Sequence, residues 1–339
     1  EYVIIIGYME ENMIIRNCNI NDVEKICNLW NEEVASLKYF KPLEVEDFNK
    51  RFVNNVDFDF DGVFGAFEED KLIGYAIGLI RQQTIKNENA PGYLNAFVVR
   101  KEYRNNGIAS QLLERVENFI KSKGRKSIMA ASYLPLCYSW YIPKFGTDDH
   151  PCAPGIRVNS EEYLFLLHRG YAAVGFEDAF HLPLSEYEIS PTIQKILDRN
   201  EKDGIKIEFY DENKHTGLNE FYADIQAPDF EKVIRSNLQL EKPYPFLVIV
   251  KDNVIKGWTG ALWNEISGRG HFDGIIISES IRGRGMGKAL FSMLAYQSKL
   301  NGAKFMTFYT GLNNHARYIY MGAGFKIVQS YALMKKTFK

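Results

Sequence analysis

A glycine-rich turn is the strongest sign of chemistry in this sequence. It reads Arg282-Gly283-Arg284-Gly285-Met286-Gly287-Lys288, and it follows a β-rich run and opens an amphipathic helix. Glycines permit tight turning and close approach of the backbone to a ligand. Amides at a helix N-terminus bind anions such as a pyrophosphate. The turn therefore predicts an anion site, and a plain strand-to-helix turn with solvated arginines is the alternative.

Two other phosphate-binding motifs do not fit the glycine-rich turn. A Walker A loop needs a glycine where Arg282 stands and a serine or threonine where Ala289 stands. A dinucleotide-binding fingerprint needs Gly-x-Gly-x-x-Gly in the first βαβ unit. The glycines here have a different last spacing and follow a β-hairpin pattern, so neither kind of nucleotide site is predicted.

The pattern around this turn occurs twice in the chain. A related turn, Arg104-Asn105-Asn106-Gly107-Ile108-Ala109, also follows a hairpin pattern and a short β-rich run, and it also opens an amphipathic helix. Such a repeat predicts two copies of one α/β unit. We expect an N-terminal extension at residues 1–12, a first domain at 13–184, a linker at 185–204 with a short helix after Pro191, and a second domain at 205–339.

A second constellation lies near the end of the chain. Asn313 is placed to cap a helix and Gly324 to end it. Ala316 and Tyr320 are four residues apart and share one helix face. Tyr320 can pack as an aromatic on this face. Tyr318 lies about 200° around the helix from it and cannot do the same work.

The first copy departs from this pattern at the tyrosine. Leu166 occupies the register of Tyr320 and has no proton to give, while Tyr163 lies one turn earlier. Its turn also has Asn105 and Asn106 where the second copy has a glycine and an arginine. Anion binding at the turn of the first copy is therefore less certain.

The two turns and the C-terminal constellation together resemble the motifs of the GCN5-related N-acetyltransferase (GNAT) family. The resemblance applies to both copies. It implies an α/β (α+β) chain of two tandem GNAT domains, each with a mixed, mostly antiparallel sheet flanked by helices. It also implies acetyl-CoA as co-substrate, with the turn amides on its pyrophosphate. The implied cofactor-binding residues are Ile275, Ile276, Ile277, Arg282, Gly283, Arg284, Gly285, Met286, Gly287, Lys288, Asn313 and Ala316 and, less certainly, Arg104, Asn105, Asn106, Gly107, Ile108 and Ala109.

The same resemblance gives Tyr320 the part of general acid for the departing CoA thiolate. It also implies that the first copy, which has Leu166 in that register, is catalytically weak or inert. An alkylammonium ion, with a pKa near ~10, must lose a proton before its nitrogen attacks a thioester. Asp273 and His271 are the candidate bases, and both are expected on the strand face of Ile275 and Ile277. A backbone N–H near Ile276 or Ile277 would meet the carbonyl oxygen.

Composition and charge limit the kinds of partner and metal that this protein is expected to bind. The chain has 339 residues and a formal net charge of −2, which disfavours a nucleic-acid partner. No apolar run approaches the ~18–20 residues of a membrane span. Four cysteines suit a reducing, cytoplasmic setting. In the aromatic segment 134–157, Cys137, His150 and Cys152 are the only credible metal ligands, so no metal is expected. That segment is predicted to pack at a domain interface, with a pocket wall as an alternative.

The sequence thus predicts an N-acetyltransferase that acts on the primary amine of a small molecule at its C-terminal copy. A non-catalytic acyl-CoA sensor and a peptide or protein N-acetyltransferase are the alternatives. The acceptor and the oligomeric state stay open.

Overall fold

The computed structural model describes residues 13–87 and 89–339, so the predicted extension at 1–12 lies outside the described residues. The chain forms two compact units. The first unit contains the described residues up to Glu177 together with Gln329–Lys339, and the second is Asp178–Val328. The boundaries expected from the sequence stay a prediction, and nothing in the sequence indicated that the last residues would pack with the first unit.

The first unit begins with a strand and alternates helices with hairpins. Its helices are α1 (Val23–Glu33), α2 (Val45–Phe48), α3 (Ile108–Ser122) and α4 (Glu161–His168). Its strands are β1 (Met13–Asn17), β2 (Val63–Glu68), β3 (Lys71–Leu79), β4 (Gly92–Val99), β5 (Ser127–Ala130), β6 (Trp140–Tyr141), β7 (Asp149–His150), β8 (Ile156–Arg157) and the start of β9 (Ala172–Pro183).

The second unit repeats this order. Its helices are α5 (Pro191–Glu201), α6 (Leu218–Ile225), α7 (Pro228–Leu238), α8 (Met286–Leu300) and α9 (Ala316–Gly322). Its strands are the end of β9, β10 (Ile205–Phe209), β11 (Leu247–Lys251), β12 (Val254–Gly260), β13 (Gly274–Ile277), β14 (Phe305–Gly311) and the start of β15 (Lys326–Thr337). The predicted linker helix is present as α5, with the Ser190 side chain capping the amide of Ile193.

The sheets are mostly antiparallel in both units. In the first unit the order is β1-β2-β3-β4-β5, and the end of β15 pairs antiparallel with β5, from Met334 opposite Ala130 to Thr337 opposite Ser127. The strands β4 and β5 run parallel, and they pair over Gly92–Leu94. In the second unit β10-β11-β12-β13 form an antiparallel sheet, and β14 lies beside the end of β9. This α+β architecture, with mostly antiparallel sheets between helices, confirms the predicted fold class.

Each sheet has a hydrophobic core on both faces. In the second unit one face packs on α8 through residues such as Leu290 and Phe291, and the other packs on α6 and α7 through Phe221 and Ile234. The helices α3 and α8, which follow the two turns, bury apolar faces as expected for amphipathic helices. Among the described residues, no helix is both long and apolar enough to cross a membrane.

Candidate active site

The glycine-rich turn has the backbone shape that an anion site needs. Gly283 and Gly285 have positive φ values of 77° and 81°, which glycine adopts without a Cβ penalty. Gly285 is the N-cap of α8 and no side chain bonds the first helical amides. The first amides of a helix lack intrahelical partners. The amides at the start of α8 can therefore donate to a ligand.

The basic side chains of this turn are exposed and partly neutralised. Arg282 pairs with Glu279 at 2.6 Å and Arg284 pairs with Asp203 at 2.7 Å. Lys288 is exposed and has no ion pair within residues 13–87 and 89–339. The side chains around the N-terminus of α8 thus carry a net positive charge, which favours the binding of an anion.

The corresponding turn of the first unit has the same backbone shape. Asn105 takes a φ of 65° where Gly283 stands, and Gly107 takes 78° where Gly285 stands. The guanidinium of Arg104 is already hydrogen-bonded within the protein, since it donates to the carbonyl oxygen of Val99 and to Glu33. The turn of the first unit therefore has the same backbone shape as the glycine-rich turn, but its side chains supply less positive charge to an anion.

An open strand edge lies next to the glycine-rich turn of the second unit. The backbones of the segments that lead to β13 and β14 are hydrogen-bonded where they begin, with Gly270 N donating to Phe305 O at 2.8 Å and Lys304 N to Gly268 O at 2.8 Å. Beyond that point no ladder joins β13 to β14 in the part of the chain that the structure describes. Two parallel strands that separate in this way leave backbone amides of β13 unpaired.

The free amides of β13 can be assigned by alternation. Ser278 N donates to Lys256 O on β12 at 2.8 Å. Successive amides of an antiparallel strand point to opposite edges, so the Ile276 amide faces β12 while those of Ile275 and Ile277 face the open edge. Of the two amides proposed from sequence to meet the carbonyl oxygen, the geometry favours Ile277.

A β-bulge at Asp273 overturns the predicted face of the candidate bases. Gly260 is the register partner of Gly274, yet it also accepts the amide of Asp273 at 3.0 Å. Two residues opposite one reverse the side-chain alternation. Phe272 consequently packs in the same core as Ile275 and Ile277, on α8. His271 is on the opposite strand face from Phe272, so His271 and Asp273 do not share the face of Ile275 and Ile277.

The two predicted bases contact one another. His271 Nε2 lies 2.7 Å from Asp273 Oδ1, and Asp273 Oδ2 accepts the amide of Ala261 at 3.0 Å. On its other side His271 Nδ1 lies 3.6 Å from Glu265 Oε1, and Arg269 also binds Glu265. The ring of Trp263 stacks on that of His271 at 4.2 Å. His271 is therefore held between two carboxylates beneath an indole ring.

The protonation of His271 follows from this setting. Burial lowers the pKa of His271, but the hydrogen bond to Asp273 and the nearby carboxylate of Glu265 outweigh it and raise the pKa above the usual value. The His271 ring in turn lowers the pKa of Glu265. Both ring nitrogens face carboxylates, and the side chain of Asp273 is about one quarter exposed. Sequence reasoning missed Glu265, because no spacing marks the loop that contains it.

Tyr320 lies on the α8 face of the sheet inside an aromatic cluster. Its ring centroid is 4.6 Å from that of Phe308 and 4.7 Å from that of Phe291. Phe180 and Phe272 close the other sides. Burial raises the pKa of Tyr320 to about 12, so the hydroxyl stays protonated at neutral pH. Tyr318 is 62% exposed, as its position around the helix predicts.

The ends of α9 agree only in part with the sequence. Gly324 has a φ of 96° after the last helical residues, and Phe325 N donates to Tyr320 O, which confirms the C-terminal stop. At the other end Asn314, not Asn313, accepts the amide of Ala316. Asn313 is exposed, and the N-cap position of α9 is His315, whose side chain makes no capping hydrogen bond.

The first unit has different residues at the positions that match the His271–Asp273 pair and Tyr320. Its strand β4 has the same bulge, but Asn95 stands there, bonded to Leu136 O and to the Tyr138 hydroxyl. Tyr93 replaces the histidine two residues earlier. Leu166 is fully buried in the core on α3. The first unit therefore has no acid–base pair and no tyrosine at the matching positions.

The aromatic segment 134–157 completes the core of the first unit. Tyr138 stacks on Trp30 of α1 at 4.2 Å, and Trp140 stacks on Tyr39 at 5.5 Å. Cys137 and Cys152 are buried, free thiols. Among residues 13–87 and 89–339, no three His, Cys, Asp or Glu side chains are grouped so that they could hold a metal ion.

Comparison with known proteins agrees with this geometry. The profile of the acetyltransferase (GNAT) family matches residues 24–136 and 208–325, once in each half of the chain. No curated protein sequence matches the chain.

Solved structures share the fold at low sequence identity. A GCN5-related N-acetyltransferase from Sphaerobacter thermophilus is 17% identical with a TM-score of 0.62, over 96% of each chain. A tandem GNAT protein from the clavulanic acid biosynthesis pathway is 12% identical with a TM-score of 0.55, over 96% of this chain and 98% of that one. A GCN5-related glucosamine N-acetyltransferase region of a fungal multi-domain β-N-acetylglucosaminidase is 16% identical with a TM-score of 0.67, over 96% of this chain and 38% of that one. At these identities the likeness concerns the fold alone.

Proposed function

Because the chain belongs to the acetyltransferase (GNAT) family, we propose that it transfers an acetyl group from acetyl-CoA to the primary amine of a small molecule, in its second unit. One observation carries this assignment. The second unit combines Tyr320 with the Asp273–His271 pair, whereas the first unit has Leu166 and Asn95 at the matching places.

The second unit would hold the cofactor through its backbone. Amides at the start of α8 donate to the pyrophosphate, as the positive end of a helix favours. The open edge of β13 receives the pantetheine arm beside β14. The Ile277 amide is placed to donate to the thioester oxygen as negative charge develops there, which lowers the barrier to attack.

The Asp273–His271 pair would take the proton of the incoming ammonium group through water. Asp273 has the more exposed side chain, and His271 shares the proton with it at 2.7 Å. The neutral amine nitrogen then forms the C–N bond while the C–S bond breaks, and it releases its second proton to water, so that a neutral amide is left. Tyr320 donates a hydrogen bond to the departing sulfur, which carries the electron pair of the broken bond.

The proposed setting is the cytoplasm, and the proposed partner is a small amine. All four cysteines are free thiols, which suits a reducing compartment. The net charge of −2 gives a nucleic acid no general attraction.

Release of free thiol from acetyl-CoA across a panel of amines tests the function. The panel includes glucosamine, because one similar structure is a glucosamine N-acetyltransferase region, together with alkylamines, amino acids and peptides. Turnover with a small amine supports the proposal. Turnover with peptides alone would make the chain a peptide acetyltransferase, and acetyl-CoA binding without any turnover would make it a sensor.

Gly283 allows the cofactor site to be tested with a matched pair of variants. A Cβ at Gly283 meets nothing within 4 Å, and Asn105 adopts the same positive φ in the first unit. Gly283→Asn therefore fits, and Gly283→Asp differs from it by one negative charge. Two like charges about 4 Å apart in water repel by about 1 kcal/mol, so Gly283→Asp should bind acetyl-CoA at least about fivefold more weakly than Gly283→Asn in calorimetry. Equal affinities of the two variants would contradict binding of the pyrophosphate at this turn.

The raised pKa of His271 makes a prediction about pH. The pair accepts a proton only when it is unprotonated, so kcat/KM should rise as pH increases through the apparent pKa of the pair. Glu265→Gln removes a carboxylate that favours the charged ring, and this acidic limb should move to lower pH. Glu241→Gln, an exposed carboxylate of the same unit, should leave the limb in place. A shift to higher pH in Glu265→Gln would exclude the pair as the base.

A further inference from the structure

The helix α5, in the segment expected to be a mere linker, contacts the glycine-rich turn directly. Arg199 Nη2 donates to Arg284 O at 2.6 Å, and Asn200 Nδ2 donates to the same oxygen at 3.2 Å. Two side chains of consecutive residues thus bind one carbonyl of the turn. Ile196 of the same helix lies against Gly285, where an added Cβ would be 3.0 Å from its Cδ1 atom.

These contacts fix the direction of the next amide. A trans peptide is planar, and its C=O and N–H point in opposite directions. Holding Arg284 O toward α5 therefore turns the amide of Gly285 away from α5. The guanidinium of Arg284 is held as well, by Asp203 just after the helix. Both ends of Arg284 are thus bound by α5 and by the residues that follow it.

Asn200 shows that this arrangement is more than ordinary helix packing. Its side chain is fully buried, and its Oδ1 atom has no hydrogen-bond partner within residues 13–87 and 89–339. Burying an unpaired carbonyl oxygen costs free energy that an apolar residue of similar size would avoid. The Nδ2 group is used fully, since it also donates to Ile196 O at 2.8 Å. The hydrogen bonds of the Asn200 side chain are therefore made by its amide nitrogen and not by its oxygen.

We propose that Arg199 and Asn200 are positioning residues for CoA, and that they set the amides of the glycine-rich turn for the pyrophosphate. This inference rests on the proposed binding of CoA at that turn. The segment between the two sequence copies is then part of the cofactor site of the second copy. Its loss would weaken cofactor binding without touching the groups that react.

The test compares an Arg199→Met/Asn200→Leu double variant with Lys195→Met on the exposed side of the same helix. Calorimetry with CoA should show a Kd raised about tenfold in the double variant, and within twofold of wild type in Lys195→Met. In steady-state kinetics the KM for acetyl-CoA should rise while kcat and the KM for the amine stay within twofold. The exposed single variant Arg199→Met, which should show a smaller rise, replaces the double variant if that one does not fold.

Three outcomes would overturn the inference. An unchanged Kd in a folded variant would make α5 a packing helix only. A fall in kcat with no change in KM for acetyl-CoA would indicate a loss of active protein rather than of positioning. Equal weakening in Lys195→Met would point to lost charge. If Gly283→Asp binds CoA as well as Gly283→Asn does, the proposed cofactor site itself is wrong, which is a separate result.

Discussion

Replacing Asp273 by asparagine is expected to lower kcat/KM for the amine about 10²-fold or more at neutral pH, in a protein that stays folded. Asparagine fits the bulge, since Asn95 stands at the same place in the first unit. It cannot accept the ammonium proton, and positioned general bases contribute about 10²–10⁴-fold. The measurement is the initial rate of thiol release with the amine that the panel identifies.

The pH dependence separates proton removal from a fault in binding. At a pH close to the pKa of the amine much of the acceptor is already neutral, so the defect of Asp273→Asn should shrink as pH rises. Asp224→Asn, an exposed carboxylate on α6, is the control and should keep the wild-type rate. A wild-type rate in Asp273→Asn at pH 7 would remove Asp273 from the mechanism. A defect of constant size across pH would indicate a structural role.

Local patterns in the sequence are enough to predict the parts of the site that are themselves local. The glycine-rich turn depends on residues within one strand-turn-helix segment, and its glycines do take positive φ values. The face of Tyr320 depends on helical periodicity alone, and Tyr320 is buried while Tyr318 is exposed. The repeat made the fold predictable, because the same hairpin, turn and helix occur in each half.

The features that sequence reasoning missed depend on partners far along the chain. The bulge at Asp273 is defined by Gly260 on β12, so simple alternation gave the wrong strand face. Glu265 comes near His271 only because the loop between β12 and β13 folds back on itself. Helix α5 was predicted, but its contact with Arg284 could not be, since no local pattern brings residues of the linker to a turn in the second copy.

Replacing Tyr320 by phenylalanine is expected to lower kcat at least about tenfold, with the Kd for acetyl-CoA changed only a few-fold. The ring packing on Phe308 and Phe291 is kept, and the hydroxyl has no hydrogen-bond partner in the described part of the chain. Folding should therefore be nearly unaffected. Burial raises the pKa of Tyr320 to about 12, whereas a thiol has a pKa near ~8.5. Full proton transfer to the thiolate would be uphill, so the benefit is a hydrogen bond that strengthens as the sulfur gains charge.

The matching variant of the first unit tells which unit reacts. Leu166 is fully buried, so Leu166→Ala should cost ~2–5 kcal/mol of unfolding free energy and yet leave the chemical step intact. Both variants are compared by circular dichroism and by steady-state kinetics where chemistry limits the rate. If Tyr320→Phe turns over at the wild-type rate there, Tyr320 is only a packing residue. If Leu166→Ala abolishes turnover in a folded protein, the reaction belongs to the first unit, and a hydrogen-bond donor other than a tyrosine at this register must meet the sulfur.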